Sequence, residues 1–229
     1  MSYFEPQRFN ILPPVVKNIL IINGLMFLAT ISLYSSGISL TKYLGMYYWS
    51  SKNFETWQII THMFMHGGLS HIFFNMFAVW MFGSQLENLW GSRRFLNYYL
   101  LTGLGAAFLH FLTIHFQINN LESSMSYKQI EDVMNQGHLL INENKNYINE
   151  SMRKLNLLYN TPVVGASGAL FGLLMAFGLI FPNALLMFMF VPFPIKAKYF
   201  VLIYGLVELY LGFQNNSNCL LYTSPSPRD

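Results

Sequence analysis

Gly165-Ala166-Ser167-Gly168-Ala169-Leu170-Phe171-Gly172 opens an apolar run that continues to Phe181 and stops at Pro182. Only Ser167 in this stretch carries a polar side chain. A second patch of the same kind lies upstream, where His71 precedes Asn75 by four residues inside another apolar run. Polar groups in such runs are expensive to place in lipid and mark function.

The composition around these patches belongs to a membrane protein. The chain has 229 residues, 53% hydrophobic, 17% aromatic and 10% charged, where a soluble domain is about 25% charged. The formal net charge of +3 is too small to point to nucleic acid. The single cysteine, Cys219, excludes a disulfide framework and a cysteine-rich metal site. The first ten residues are polar and include Glu5 and Arg8, unlike a cleavable signal peptide.

A helix needs roughly 20 apolar residues to cross the hydrocarbon core. Five candidate spans follow, at about 15–34, 70–89, 95–116, 166–181 and 198–213. Pro13-Pro14 suits the start of the first. The stretch 184–195 is apolar, but Pro192 and Pro194 break it, so an irregular or interfacial connection is expected. Basic residues orient the bundle. With the N-terminus inside, Arg8, Lys17, Arg93, Arg94, Lys196 and Lys198 lie inside, against Lys42 and Lys52 in the outer segment 35–69. The segment 117–162 then lies outside with four basic and five acidic residues. Its middle, about 127–158, has Ile130, Val133 and Met134 at helical spacing, which predicts a surface helix in a soluble insertion without a core of its own. This topology predicts similar depths for Ser167, His71 and Asn75, near the outer ends of their helices.

Their chemistry is complementary. A serine hydroxyl needs a base to become a nucleophile, and the tetrahedral intermediate needs donors aimed at its oxyanion. Gly165 and Gly168 leave room for a substrate backbone beside Ser167, and a helix start offers free N–H groups. His71 and Asn75, one turn apart on one face, offer two more donors. The same small residues, with Gly172, also suit plain packing between membrane helices. His62 and His66 are spaced to share a metal, but the segment lacks the glutamate and third ligand of such a site, so no metal and no cofactor is implied. Both histidines are expected to hydrogen-bond the outer loop, and His110 and His115 to serve packing.

Several stretches together resemble the rhomboid intramembrane serine proteases. Trp57 to His66, followed by Leu69-Ser70-His71-Ile72-Phe73-Phe74-Asn75, resembles the family's second-helix signature. Gly83-x-x-x-Glu87-x-x-x-Gly91 with Ser92-Arg93-Arg94-Phe95 and Tyr98-Tyr99 resembles the junction into its third helix. Gly165 to Gly172 resembles its nucleophile motif, and Pro194 to Tyr199 the entry to its fifth helix. The resemblance implies an all-α polytopic helix bundle with five of six transmembrane helices present. It implies a hydrated cavity, a loop at 35–69 partly embedded in the membrane, and a fifth helix gating lateral entry. Ser167 would be the nucleophile, and His71 and Asn75 the oxyanion donors. The partners would be the lipid bilayer and membrane proteins whose transmembrane segments are cleaved. A multi-pass protein of a bacterial inner membrane is expected.

The sequence departs from the family at its end. The family's base histidine lies on a sixth helix in a His-x-x-Gly context, and no such motif follows Asn218. Residues 219–229, with Pro225 and Pro227, resemble translated sequencing adapter, so the membrane domain is expected over 1–218 and the tail is set aside. A protein ending there is expected to be nearly inert. One rival reading is a non-catalytic rhomboid-like protein that binds or chaperones membrane clients. A transporter or channel is weaker, since Lys17, Glu87, Lys198 and Glu208 are the charges within the spans, most of them near an end.

Overall fold

A computed structural model describes residues 9–187 and 193–213. The expectations for 219–229, for a sixth helix and for its base histidine lie outside the described residues. The chain forms a helical bundle, as the apolar runs predict. The first helix, α1 (Pro14–Tyr34), starts with proline at its first position. The segment after it holds two short helices, α2 (Leu40–Leu44) and α3 (Gln58–Thr61), the latter running into a 3₁₀ turn at His62–Phe64. The second apolar run is one helical path in three pieces: α4 (Leu69–Ala78), a π-helical turn (Val79–Gly83) and α5 (Ser84–Trp90). Its length over 69–90 is roughly 33 Å at 1.5 Å per residue. Gly91, at φ 77°, makes the turn into α6 (Ser92–Glu122).

Of the described helices, α1 and α6 are each long and apolar enough to cross a membrane. The fourth apolar run forms α9 (Ser167–Ile180), about 21 Å long, which is too short to span alone. Its start is covered by the buried residues Val164 and Ala166, so the N-terminus of α9 lies inside the protein. The described ends of the connection after α9 pair with each other, where an irregular connection was expected. Leu185–Leu186 (β1) pairs antiparallel with Ile195–Lys196 (β2), directly before α10 (Ala197–Phe213).

The insertion forms two helices rather than one. α7 (Tyr127–Asn142) begins with a capping box in which Ser126 and Gln129 satisfy each other's backbone N–H groups. α8 (Glu150–Asn160) starts at Asn149, whose side chain accepts from Met152 N–H. Gly137 lets them approach closely, because a Cβ there would collide with Asn156 Oδ1. The hairpin shares a core with the far half of α6 and the segment after α1: Val133, Met152, Leu155 and Tyr159 pack with Met46, Tyr48, Phe111 and Ile114.

The main core joins α1, the second helical path, α6 and α9. α9 meets α6 along a seam of small residues. A Cβ on Gly168 would overlap Ala106, and one on Gly172 would lie 2.5 Å from Thr102 Cβ. The partners recur every four residues on both helices, the spacing that lets membrane helices pack closely. Tyr98 O–H donates to the Gly172 carbonyl at 2.8 Å across the same seam.

Glu87 explains a charge within a span. Its carboxylate, 3% exposed, accepts from Val15 N–H at 2.9 Å, Val16 N–H at 2.8 Å and the Ser92 hydroxyl at 2.6 Å. It caps the start of α1, where a negative charge is favoured. Glu87→Ala is expected to lower stability by roughly 1–3 kcal/mol, because buried donors lose their acceptor. Glu87→Gln should cost less, since its amide oxygen still accepts. Unfolding midpoints in detergent measure both, and equal midpoints for wild type and Glu87→Ala would contradict the capping role.

Candidate active site

The site is built where the second helical path meets the start of α9. Gly165 N–H donates to the His62 carbonyl at 2.9 Å, and Met46 and Val163 exchange two backbone hydrogen bonds of 2.9 and 2.8 Å. These bonds hold the strand-like approach to Ser167 against the segment after α1. Gly165 sits at φ 127°, a conformation that only glycine adopts without strain.

The sequence-derived residues converge on Gly165. The position a Cβ would take there lies 3.0 Å from His71 Cε1 and Nε2 and 3.6 Å from Ser167 Oγ. His71 and Ser167, 96 positions apart in the chain, therefore face one small space from two sides. Asn75 lies one turn along α4 from His71 and is 2% exposed. Gly168 serves the α6 seam, so the packing and site readings of this glycine motif apply to different residues within it.

Hydrogen bonding sets the His71 tautomer. Gly67 N–H donates to His71 Nδ1 at 3.4 Å, so the neutral ring carries its proton on Nε2. That Nε2–H, on the Gly165 side, and the Asn75 amide nitrogen are both buried with no hydrogen-bond partner among the described residues. A buried donor left unpaired costs about 1–3 kcal/mol. Two such donors one helical turn apart are suited to an anionic oxygen.

His62 and His110 were assigned no part in the site from sequence, yet both line a cavity of about 30 Å³ with Ser167, Gly165 and Gly168. Helical spacing carries the signal for His110: it lies one turn beyond Ala106, which faces Gly168. His62 Nδ1–H donates to the Gln58 carbonyl at 2.9 Å, one turn back along its own helical path. Burial pushes the His62 imidazole below its ordinary value, opposed by hydrogen bonds to the Gln58 and Ile59 backbone. His66 lies beside the candidate site. Its ring packs edge-on against His71 with centroids 5.1 Å apart, and the Phe64 backbone of the outer segment lies close enough to favour its charged form. Neither of its nitrogens has a partner among the described residues. Burial, and secondarily His71, push its pKa down to about 4. His115 bonds the Tyr48 hydroxyl at 2.9 Å beneath the insertion, a packing role.

The described chain is thus a helical bundle in which a half-buried serine lies near histidine and amide donors that lack partners among the described residues. The chain belongs to the rhomboid family: residues 53–219 match the Rhomboid domain. It is 36% identical over 58 residues to rhomboid protease GluP of Bacillus subtilis, covering 25% of this chain and 11% of that protein. It is 38% identical over 65 residues to RHOMBOID-like protein 6, mitochondrial, of Arabidopsis thaliana, covering 28% and 21%. The matches thus span a small part of these relatives' lengths. Family membership makes the protein an integral membrane protein.

Gly165→Ala is expected to destabilise the fold by about 1–3 kcal/mol and to displace the His71 ring, read as a lowered unfolding midpoint with a changed His71 imidazole NMR shift. An unchanged midpoint and shift would contradict the crowding described. The His66 ring adds a pH dependence. Unfolded, it takes up a proton near 6.5; folded, only near 4. The unfolded state binds more protons between these values, so stability falls as pH drops from 6.5 toward 4 and levels off below. His66→Gln should flatten part of that slope in thermal unfolding, and an unaltered slope would remove His66 as its source.

Proposed function

We propose that this chain forms the body of a rhomboid-type serine endopeptidase that cleaves membrane proteins within or beside a transmembrane segment. The observation that carries the reading is the convergence of Ser167 Oγ and the His71 ring on Gly165. The names of its relatives, rhomboid protease GluP among them, support the same class of activity.

Ser167 Oγ attacks the carbonyl carbon of the scissile peptide and loses its proton to a base. The carbonyl oxygen becomes an oxyanion. His71 Nε2–H, the Asn75 amide and the Ser167 backbone N–H at the helix start donate to it. The first two are already buried without partners among the described residues, so they need no reorganisation when charge develops. The base is the histidine that the family resemblance places on a sixth helix. The N-terminus faces the cytoplasm of a bacterial cell, and cleavage occurs toward the opposite face, where helix-breaking residues expose the substrate's peptide bond.

The test is cleavage of a reporter transmembrane substrate by the full-length gene product in liposomes. Ser167→Ala is expected to lower the rate by about 10⁴-fold or more, and Asn75→Ala by roughly 10²- to 10³-fold, each with an unchanged helical circular dichroism spectrum. Cleavage by Ser167→Ala at the wild-type rate would end the proposal.

A further inference from the structure

A groove of about 960 Å³ runs between the far half of α1, the segment after it and the insertion. Ligand sites commonly enclose about 300–1,000 Å³. Its two sides differ in chemistry. Phe27, Ile31 and Leu69 form an apolar wall continuous with the exposed face of α1. Lys42, Lys52 and His138 line the polar side.

Lys42 and Lys52 form no ion pair among the described residues. Lys42 Nζ donates to the neutral Asn142 Oδ1 at 2.8 Å. Among the described residues the ion pairs are Lys145–Glu143 and Lys154–Glu150, which involve neither. Glu55 is the single acidic residue in the lining. His66 also lines the groove; it is 3% exposed, with both ring nitrogens lacking partners among the described residues. Tyr34, Tyr43 and Trp57 stand exposed around it, the aromatic types that gather at a membrane–water boundary.

We propose that the groove binds an anionic phospholipid, with the phosphate at Lys42 and Lys52 and an acyl chain along Phe27 and Ile31 of α1. Charge complementarity selects the headgroup: two lysines, one carboxylate and the neutral donor of His66 suit a phosphate oxygen. The apolar wall selects a lipid over a free phosphate ion, which would use half of the groove. Binding links three parts of the chain, because the lysines belong to the segment after α1, His138 to α7 and the apolar wall chiefly to α1. It reaches the candidate site through His66, whose ring lies against His71.

The test uses the whole chain purified in neutral detergent, with lipid retention read by native mass spectrometry and no measurement of proteolysis. Phosphatidylglycerol is expected to be retained about tenfold more than phosphatidylcholine of the same acyl chains. Lys42→Gln with Lys52→Gln should lower its retention by about tenfold or more, and Lys128→Gln, an exposed charge on α7 outside the groove, should leave it within about twofold. Millimolar inorganic phosphate should not displace it. If the double variant fails to fold by circular dichroism, Lys52→Gln alone carries the comparison. Equal retention of the two lipids, equal loss in Lys128→Gln, displacement by inorganic phosphate, or preferential binding of an acidic peptide over phosphatidylglycerol would each overturn the proposal.

Discussion

The close approach of α9 to α6 is the constraint on which the rest of the protein depends. Gly168 and Gly172 take positions where any side chain would overlap Ala106 or Thr102. In lipid there is little hydrophobic drive between apolar helices, so contact must come from packing of this kind and from hydrogen bonds such as Tyr98 to the Gly172 carbonyl. The seam seats a helix of 14 residues well inside the bundle, and its first residue is Ser167. A longer or more loosely packed helix would carry that hydroxyl toward the surface. The geometry around Gly165 is therefore a consequence of interhelical packing before it is a matter of chemistry.

The polar groups divide according to whether they are satisfied. Glu87 spends its oxygens on two backbone N–H groups and one hydroxyl. Asn156, Asn160 and Asn146 form an amide chain that stiffens the insertion, with bonds of 3.0 and 2.8 Å. Around Gly165 the pattern reverses: His71 Nε2, the Asn75 amide nitrogen and both nitrogens of His66 are buried without partners among the described residues. Asn23 Oδ1, the Tyr99 hydroxyl and His138 Nδ1 are also unpaired elsewhere, so what sets the surroundings of Gly165 apart is that two unpaired donors stand one turn apart on one helix.

Much of this was legible from residue spacing. Among the described residues, apolar run lengths located the five helical paths expected as spans, because backbone groups in lipid have few alternatives to a helix. His71 and Asn75 shared a face by their spacing alone. What escaped depended on contacts between distant segments. The π-helical turn at Val79–Gly83 leaves no mark in hydrophobic periodicity. The break between α7 and α8 falls in a polar stretch where the helical pattern simply weakens, and their apolar faces cover α6 instead of solvent. The stacking of His66 on the His71 ring joins two segments and leaves no trace in residue spacing. His110 joined the serine's cavity only because the seam sets the rotation of α6 relative to α9.

The cap on α1 has a mechanical corollary. All three buried residues of that helix, Val16, Ile19 and Asn23, lie in its first half, and Val16 N–H bonds the Glu87 carboxylate. Beyond them the helix leans on the protein with partly exposed side chains alone. It is a rod anchored at one tip, and any tilt about that anchor grows with distance along it. The tip bordering the large groove, with Phe27, Ile31 and Tyr34, carries no buried side chain, so packing fixes that wall of the groove less firmly than the capped end of the helix.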